Sequence, residues 1–209
     1  MPPTMDLERN LASFQYIAGV DEAGRGALAG PVMAAAVILP LNCSLAGLDD
    51  SKRLTSTQRN KLTSLIQESC LAFAYGWATA VEIDLLNIHE ASLLAMTRAV
   101  SHLKTDFLLI DGRFTLKNIK LPQKALIKGD QLSSSIAAAS ILAKTYRDKL
   151  MEDLHEKFPF YGFKIHKGYA TPVHLKNLAK LGPCSEHRQT YRPVVNAASQ
   201  QSLFAELSA

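Results

Sequence analysis

Two unbroken apolar runs open the chain, Tyr16–Val20 and Val32–Leu39, and predict buried strands joined by a Gly-rich turn. A link this short favours an antiparallel pair. From Leu71 to Ala80 the pattern alternates, with Phe73, Tyr75 and Trp77 on one face, and predicts a third strand. Phe107–Ile110 and Ala125–Ile127 predict the fourth and fifth. Helical spacing fills the intervals. Thr55 and Gln58 have capping-box spacing and open a helix to about Glu68. Leu86, Leu93, Met96, Val100 and Leu103 predict one helix between Glu82 and His102, and an Ala-rich helix is predicted over Ser134–Lys157. Thr171-Pro172 starts another helix and Gly182-Pro183 ends it. The expected fold is α/β, a mixed sheet flanked by helices with a helical C-terminal part. An extension (1–15), one domain (16–193) and a tail with a weak core signal (194–209) complete the plan.

Composition narrows the class. A chain of 209 residues suits one main domain. No apolar stretch is long enough to span a membrane, and the start lacks the basic-then-apolar pattern of a secretory signal. Cys43, Cys70 and Cys184 are odd in number and far apart, which argues against a disulfide framework and for a cytoplasmic location. The net charge is only +4, yet Lys157, Lys164, Lys167, Lys176, Lys180, Arg188 and Arg192 share their stretch with Glu186 alone. Such a run either attracts a polyanion or forms a solvated basic face. His166, His174 and His187 lie in it without any spacing that pairs them, and read as phosphate contacts, helix-end residues or surface.

The acids are placed more tellingly. Asp21 and Glu22 follow the first strand directly, Asp111 follows the fourth, and Asp130 lies between the fifth strand and the long helix. Strand ends of one sheet can meet, and loops there carry chemistry on a rigid scaffold. Carboxylates gathered in one place repel each other, and a hard divalent cation relieves that repulsion. Singly, each acid has another reading as a turn, helix-start or loop residue. Gly24-Arg25-Gly26 follows the acidic pair at once, where a backbone without side chains can approach a ligand or simply supply turn dihedrals.

Gly19–Gly26 with Gly30-Pro31 resembles the signature of the ribonuclease HII family. Asp50–Leu54, Ile110–Gly112, Lys128–Asp130, Ala137–Lys144, His166–Thr171 and Gly182–Arg188 resemble that family's further motifs, in order, so that the likeness runs from about Tyr16 to Pro193. The sister ribonuclease HIII family resembles the chain less, having a glutamate as fourth acid where Asp130 stands and an N-terminal substrate-binding extension.

The resemblance implies a ribonuclease H-like core and a metal-dependent endoribonuclease. Asp21, Glu22, Asp111 and Asp130 would hold two ions, Mg²⁺ or Mn²⁺. Gly24, Arg25 and Gly26 would contact the 2′-hydroxyl of the target ribonucleotide largely through backbone atoms. Tyr169 would pack on the neighbouring deoxyribose, and Lys52 would contact a phosphate. Expected substrates are RNA–DNA hybrids and DNA duplexes containing ribonucleotides, cut to 3′-hydroxyl and 5′-phosphate ends. The competing readings are a non-catalytic nucleic-acid-binding protein and a metal-dependent nucleotide phosphohydrolase. Last, Gln200–Phe204 resembles the short peptide by which bacterial replication and repair proteins dock on the sliding clamp, departing at Gln201 where leucine is preferred. Its alternative is an amphipathic helix that packs Leu203, Phe204 and Leu207 on the domain.

Overall fold

The computed structural model describes residues 2–48 and 54–207, with side chains through residue 200. Two compact units divide it. One comprises Met1–Ala23, Met33–Trp77 and Ser92–Tyr146; the other comprises Gly24–Val32, Ala78–Ala91 and Arg147–Ala209.

The first unit is built on the five predicted strands: β1 (Ile17–Ala23), β2 (Val32–Ile38), β3 (Ala72–Ala78), β4 (Phe107–Asp111) and β5 (Gln123–Leu126). Their order is β3-β2-β1-β4-β5, with β1 antiparallel to β2 and parallel to β4, and β4 parallel to β5. The mixed sheet is the one the apolar runs predict. Strand β5 starts two residues early because the Gln123 amide bonds Leu116 and Ile119 and folds the preceding loop onto the strand's beginning.

Helix α1 (Asp6–Arg9) lies in the N-terminal extension, and α2 (Ser56–Ser69) opens with the expected Thr55–Gln58 capping box. The predicted helix between Glu82 and His102 is two helices, α3 (Ala80–Leu86) and α4 (Ile88–Ser101). Asn87, at φ 69°, breaks the run, and its side chain accepts from the N–H groups of His89 and Glu90 to cap α4. The long helix, α5 (Ser134–Lys157), has its predicted bounds. Its residues Ile136–Ala139 and Ile141–Ala143 are buried, and the approach to β1 is close. A Cβ on Gly19 would lie 2.1 Å from the Ser135 carbonyl carbon, so only glycine fits there.

The second unit contains the C-terminal helices α6 (Phe163–His166), α7 (Pro172–Leu181) and α8 (Arg192–Leu207). The stretch from 194, read as a tail, is helical through Leu207. Its Val194 and Ala197 pack with Leu28 and Leu178, a three-residue spacing too short to register as periodicity. No helix among the described residues is long and apolar enough to cross a membrane.

Candidate active site

Parallel pairing decides where the acids go. Val20 of β1 faces Ile110 of β4, so the next residues, Asp21 and Asp111, stand side by side at the carboxyl ends of neighbouring strands. Asp111 in turn pairs with Leu126, the last residue of β5. The chain then turns through Lys128, at φ 57°, into a single 3-10 turn over Gly129–Gln131 that carries Asp130. Gly129 N–H donates to Asp111 Oδ1 at 2.7 Å, which ties that turn to the Asp111 carboxylate. The carboxyl ends of three adjacent strands thus carry all four predicted acids, with Glu22 next to Asp21.

Asp21 and Asp130 are buried, while Glu22 and Asp111 are half-buried. Burial first, then the charges of Glu22 and Asp111, push the Asp21 carboxyl well above the usual carboxylate range. The Ser140 hydroxyl and the Glu22 N–H, 2.6 Å from Asp21 Oδ1, oppose the shift. Among the described residues no three His, Cys, Asp or Glu side chains are already disposed around an ion position. The donor chemistry nevertheless fits a hard divalent cation: every candidate ligand is a carboxylate oxygen, and Asp21 feels two neighbouring negative charges.

The remaining predicted residues belong to the second unit, except Lys52, which lies outside the described residues. Gly24 is buried at φ 95°, and a Cβ there would lie 2.0 Å from Arg147 Nε. Arg25 and Gly26 are exposed, and a Cβ on Gly26 would meet nothing within 4 Å. Tyr169 is bridged to Ala27 across this loop, and the Arg147 guanidinium lies 5.4 Å from its ring centre.

Three corrections concern the basic stretch. His174 and His187 are not surface groups: both are fully buried, with their Nε2 atoms 3.0 Å apart, and His166 stacks on His174 at 4.2 Å. The tautomers follow from the partners. His174 Nδ1–H must donate to the Tyr169 carbonyl, 2.9 Å away, so its Nε2 accepts from His187 Nε2–H. His187 Nδ1 then accepts the Cys184 N–H at 3.0 Å. Burial lowers both imidazoles to about 4, with like charge adding for His187. Arg188, counted in the basic run, is also sealed from water and bonded to main-chain carbonyls. Sequence reasoning missed Arg147 altogether, because a charged residue among Lys144, Asp148 and Lys149 reads as surface, although Ala143 and Met151, four residues to either side, are buried on the same helix face.

Sequence comparison supplies the family. A family model described as Ribonuclease HII matches residues 18–195. The chain belongs to the ribonuclease HII family. A curated ribonuclease HII from Pelotomaculum thermopropionicum is 55% identical over 192 residues, covering 90% of this chain and 72% of that one. Among solved structures, a ribonuclease HII from Archaeoglobus fulgidus in complex with PCNA superposes with a TM-score of 0.73 at 27% identity, covering 85% of this chain and 96% of that one. The ribonuclease H2 of Pyrococcus horikoshii OT3 shares the fold, with a TM-score of 0.77 at 24% identity and 89% and 98% coverage. Ribonuclease HII proteins are ribonuclease H hydrolases, and this chain is an endoribonuclease of that kind acting on RNA–DNA hybrids.

Proposed function

We propose that this ribonuclease hydrolyses the RNA strand of hybrids and also cuts 5′ of ribonucleotides embedded in duplex DNA, leaving 3′-hydroxyl and 5′-phosphate ends. The observation that carries the reading is the meeting of Asp21 and Asp111 at the ends of paired strands, with Glu22 beside them and Asp130 on the turn hydrogen-bonded to Asp111. These four residues would hold two Mg²⁺ or Mn²⁺ ions. Bound there, such ions would supply Lewis acidity, activating the attacking water and stabilising charge on the departing 3′-oxygen. Glu22 and Asp111, the more accessible pair, face incoming solvent and phosphate, while Ser140 holds the Asp21 carboxylate. Gly24, Arg25 and Gly26 contact the 2′-hydroxyl largely through backbone atoms, Tyr169 packs on the neighbouring deoxyribose, and Lys52 contacts a phosphate.

Residues 16–193 serve as the catalytic domain. The segment 194–209 adds a partner site in which Gln200–Phe204 docks on a sliding clamp, raising the local concentration of enzyme on newly copied DNA. The Archaeoglobus ribonuclease HII was solved with such a partner, PCNA. Titrating purified clamp with a Ser199–Ala209 peptide tests this arm, and no binding at tens of micromolar by peptide or protein removes it.

Incubation with an end-labelled duplex carrying one ribonucleotide tests the main reading. The expected product, with Mg²⁺ or Mn²⁺ and not with chelator, is a single cut 5′ of the ribonucleotide. Binding without cleavage under every cation condition would leave a non-catalytic nucleic-acid-binding protein. Hydrolysis of free mononucleotides but not of duplex would leave a phosphohydrolase.

A further inference from the structure

Two arginines head the fully buried side chains, and both close around one loop. Arg147 donates from Nε to the Pro31 carbonyl at 3.0 Å, from Nη2 to Ala29 at 3.2 Å and from Nη1 to Lys167 at 3.0 Å. Arg188 takes the other half of the loop. Its Nη2 donates to the Gly24 carbonyl at 2.6 Å, Nη1 to Arg25 at 2.7 Å, and Nε and Nη2 to Gly30 at 3.2 and 3.0 Å. The Tyr191 hydroxyl accepts from Nη1 and donates to the Arg25 carbonyl, both at 3.1 Å. A guanidinium is suited to this, because its planar fork offers five donors in fixed directions.

The consequence lies on the loop's opposite side. A trans peptide is planar, with its C=O and N–H opposed, and no peptide among the described residues is cis. A Gly24 carbonyl turned to Arg188 therefore sends the Arg25 N–H the other way, and the Arg25 carbonyl does the same for the Gly26 N–H. That other side is the accessible one, since Arg25 and Gly26 are exposed and Gly26 has open space where a side chain would stand. Consecutive N–H groups directed alike form a concavity for an electronegative atom, and a cation behind the same peptides strengthens their polarity.

We propose that Arg188 is the positioning residue that sets the polarity of the ribose-reading loop. It holds the Gly24 and Arg25 carbonyls inward, so that the Arg25 and Gly26 N–H groups face the sugar. Without it the Gly24 carbonyl keeps only the Ala27 N–H, at 3.3 Å, and the Arg25 carbonyl the Tyr191 hydroxyl, so both peptides turn more easily, and a carbonyl turned outward would remove a donor and repel the hydroxyl oxygen. This rests on the reading that Gly24–Gly26 contact the 2′-hydroxyl, and the test separates the two.

The measurement is the ratio of dissociation constants, in chelator, for one duplex with a single ribonucleotide and the same duplex all-deoxy. Arg188→Lys keeps a positive charge but cannot span both carbonyls. It is expected to lower the ribonucleotide preference roughly tenfold, the effect of losing one or two neutral hydrogen bonds, with the all-deoxy constant unchanged. A purely structural role for Arg188 predicts instead a lower melting temperature with the preference intact, and that result overturns the proposal. If Arg188→Lys does not fold, Tyr191→Phe decides: it removes one bond from the Arg25 carbonyl, a smaller fall in preference supports the proposal, and none overturns it. Gly26→Ala, which meets no protein atom, is the control on the underlying reading. A preference untouched by Gly26→Ala sinks the ribose-contact reading itself. A preference lowered by Gly26→Ala but not by Arg188→Lys sinks the role of Arg188 alone.

Discussion

Asp21 is kept where an isolated fold would not want a charge. Buried and facing Glu22 and Asp111, its carboxyl is pushed well above the usual range, so ionising it near neutral pH works against the folded state. Asp21→Asn should therefore raise the melting temperature of the metal-free protein by a few degrees, read by calorimetry in chelator. Mg²⁺ should raise the wild-type temperature and leave that of Asp21→Asn nearly unchanged. Cleavage of the single-ribonucleotide duplex should drop about a thousandfold, because a metal site stabilises transition-state charge by several kcal/mol. A variant no more stable than wild type in chelator would mean that Asp21 is not strained by its neighbours. This residue was legible in the sequence only in company: alone it reads as a loop acid, and it is the placing of Asp21, Glu22, Asp111 and Asp130 after apolar runs that marks it. Arg188 and His174 were not, since a charged or polar residue in a basic stretch reads as surface until three-dimensional neighbours supply its hydrogen bonds. Gly24 and Gly26 looked alike in sequence. One would place its Cβ against Arg147 and the other would place it in open space.

Among the elements, β1 to β4 were readable because each contains a continuous or alternating apolar run, and α5 because its small buried face has helical spacing, whereas β5 begins with the polar Gln123 and Lys124 and so reads two residues late. Asn87 shows where periodicity misleads: the apolar repeat of α3 continues into α4 across a residue whose positive φ no spacing reveals. The N-terminal extension was equally silent. Its Thr4 pairs with Ser133, its Leu7, Leu11 and Phe14 pack on Ile17, Phe107, Leu109 and Ile136, and its Glu8 is 1% exposed. Glu8 Oε1 accepts the Ser133 hydroxyl at 2.6 Å and the Ser135 N–H at 2.9 Å, while Ser133 itself caps the Ile136 N–H. A carboxylate from α1 thus closes the N-terminus of α5, where the helix dipole favours negative charge. Glu8→Ala leaves a buried donor and an N–H without their acceptor and should cost about 2 kcal/mol, measured by urea unfolding. Glu8→Gln, which keeps an acceptor oxygen, should cost less. Equal losses would assign the effect to packing rather than to the cap.

At the scale of the whole molecule, stability should turn on pH through groups remote from the acids. His174 and His187 are hydrogen-bonded to one another as neutral rings, and their pKa values fall from 6.5 in the free residue to about 4. An unfolded chain binds these protons first as pH drops, so between about 6.5 and 4 it gains protons that the folded chain refuses. The histidine contribution is accordingly complete above pH 6.5 and is lost as the pH falls towards 4. It amounts to about 3 kcal/mol for one such ring, and to less than twice that for two rings sharing a bond. Asp21 acts with the opposite sign, its raised pKa relieving the folded state as acid is added, so the Asp21→Asn background removes that opposing effect, and Glu152, held low by Lys167, adds to the acid sensitivity only at the bottom of this window. In that background, melting temperature should fall steadily from pH 6.5 to pH 4. Replacing His174 by Asn keeps a donor for the Tyr169 carbonyl and removes the titrating ring. The double variant should start less stable at pH 7.5 and then lose stability with about half the slope, His187 and His166 remaining to be protonated. An undiminished slope would place the acid sensitivity elsewhere in the chain and show that the paired rings are protonated in the folded state as readily as in the unfolded one.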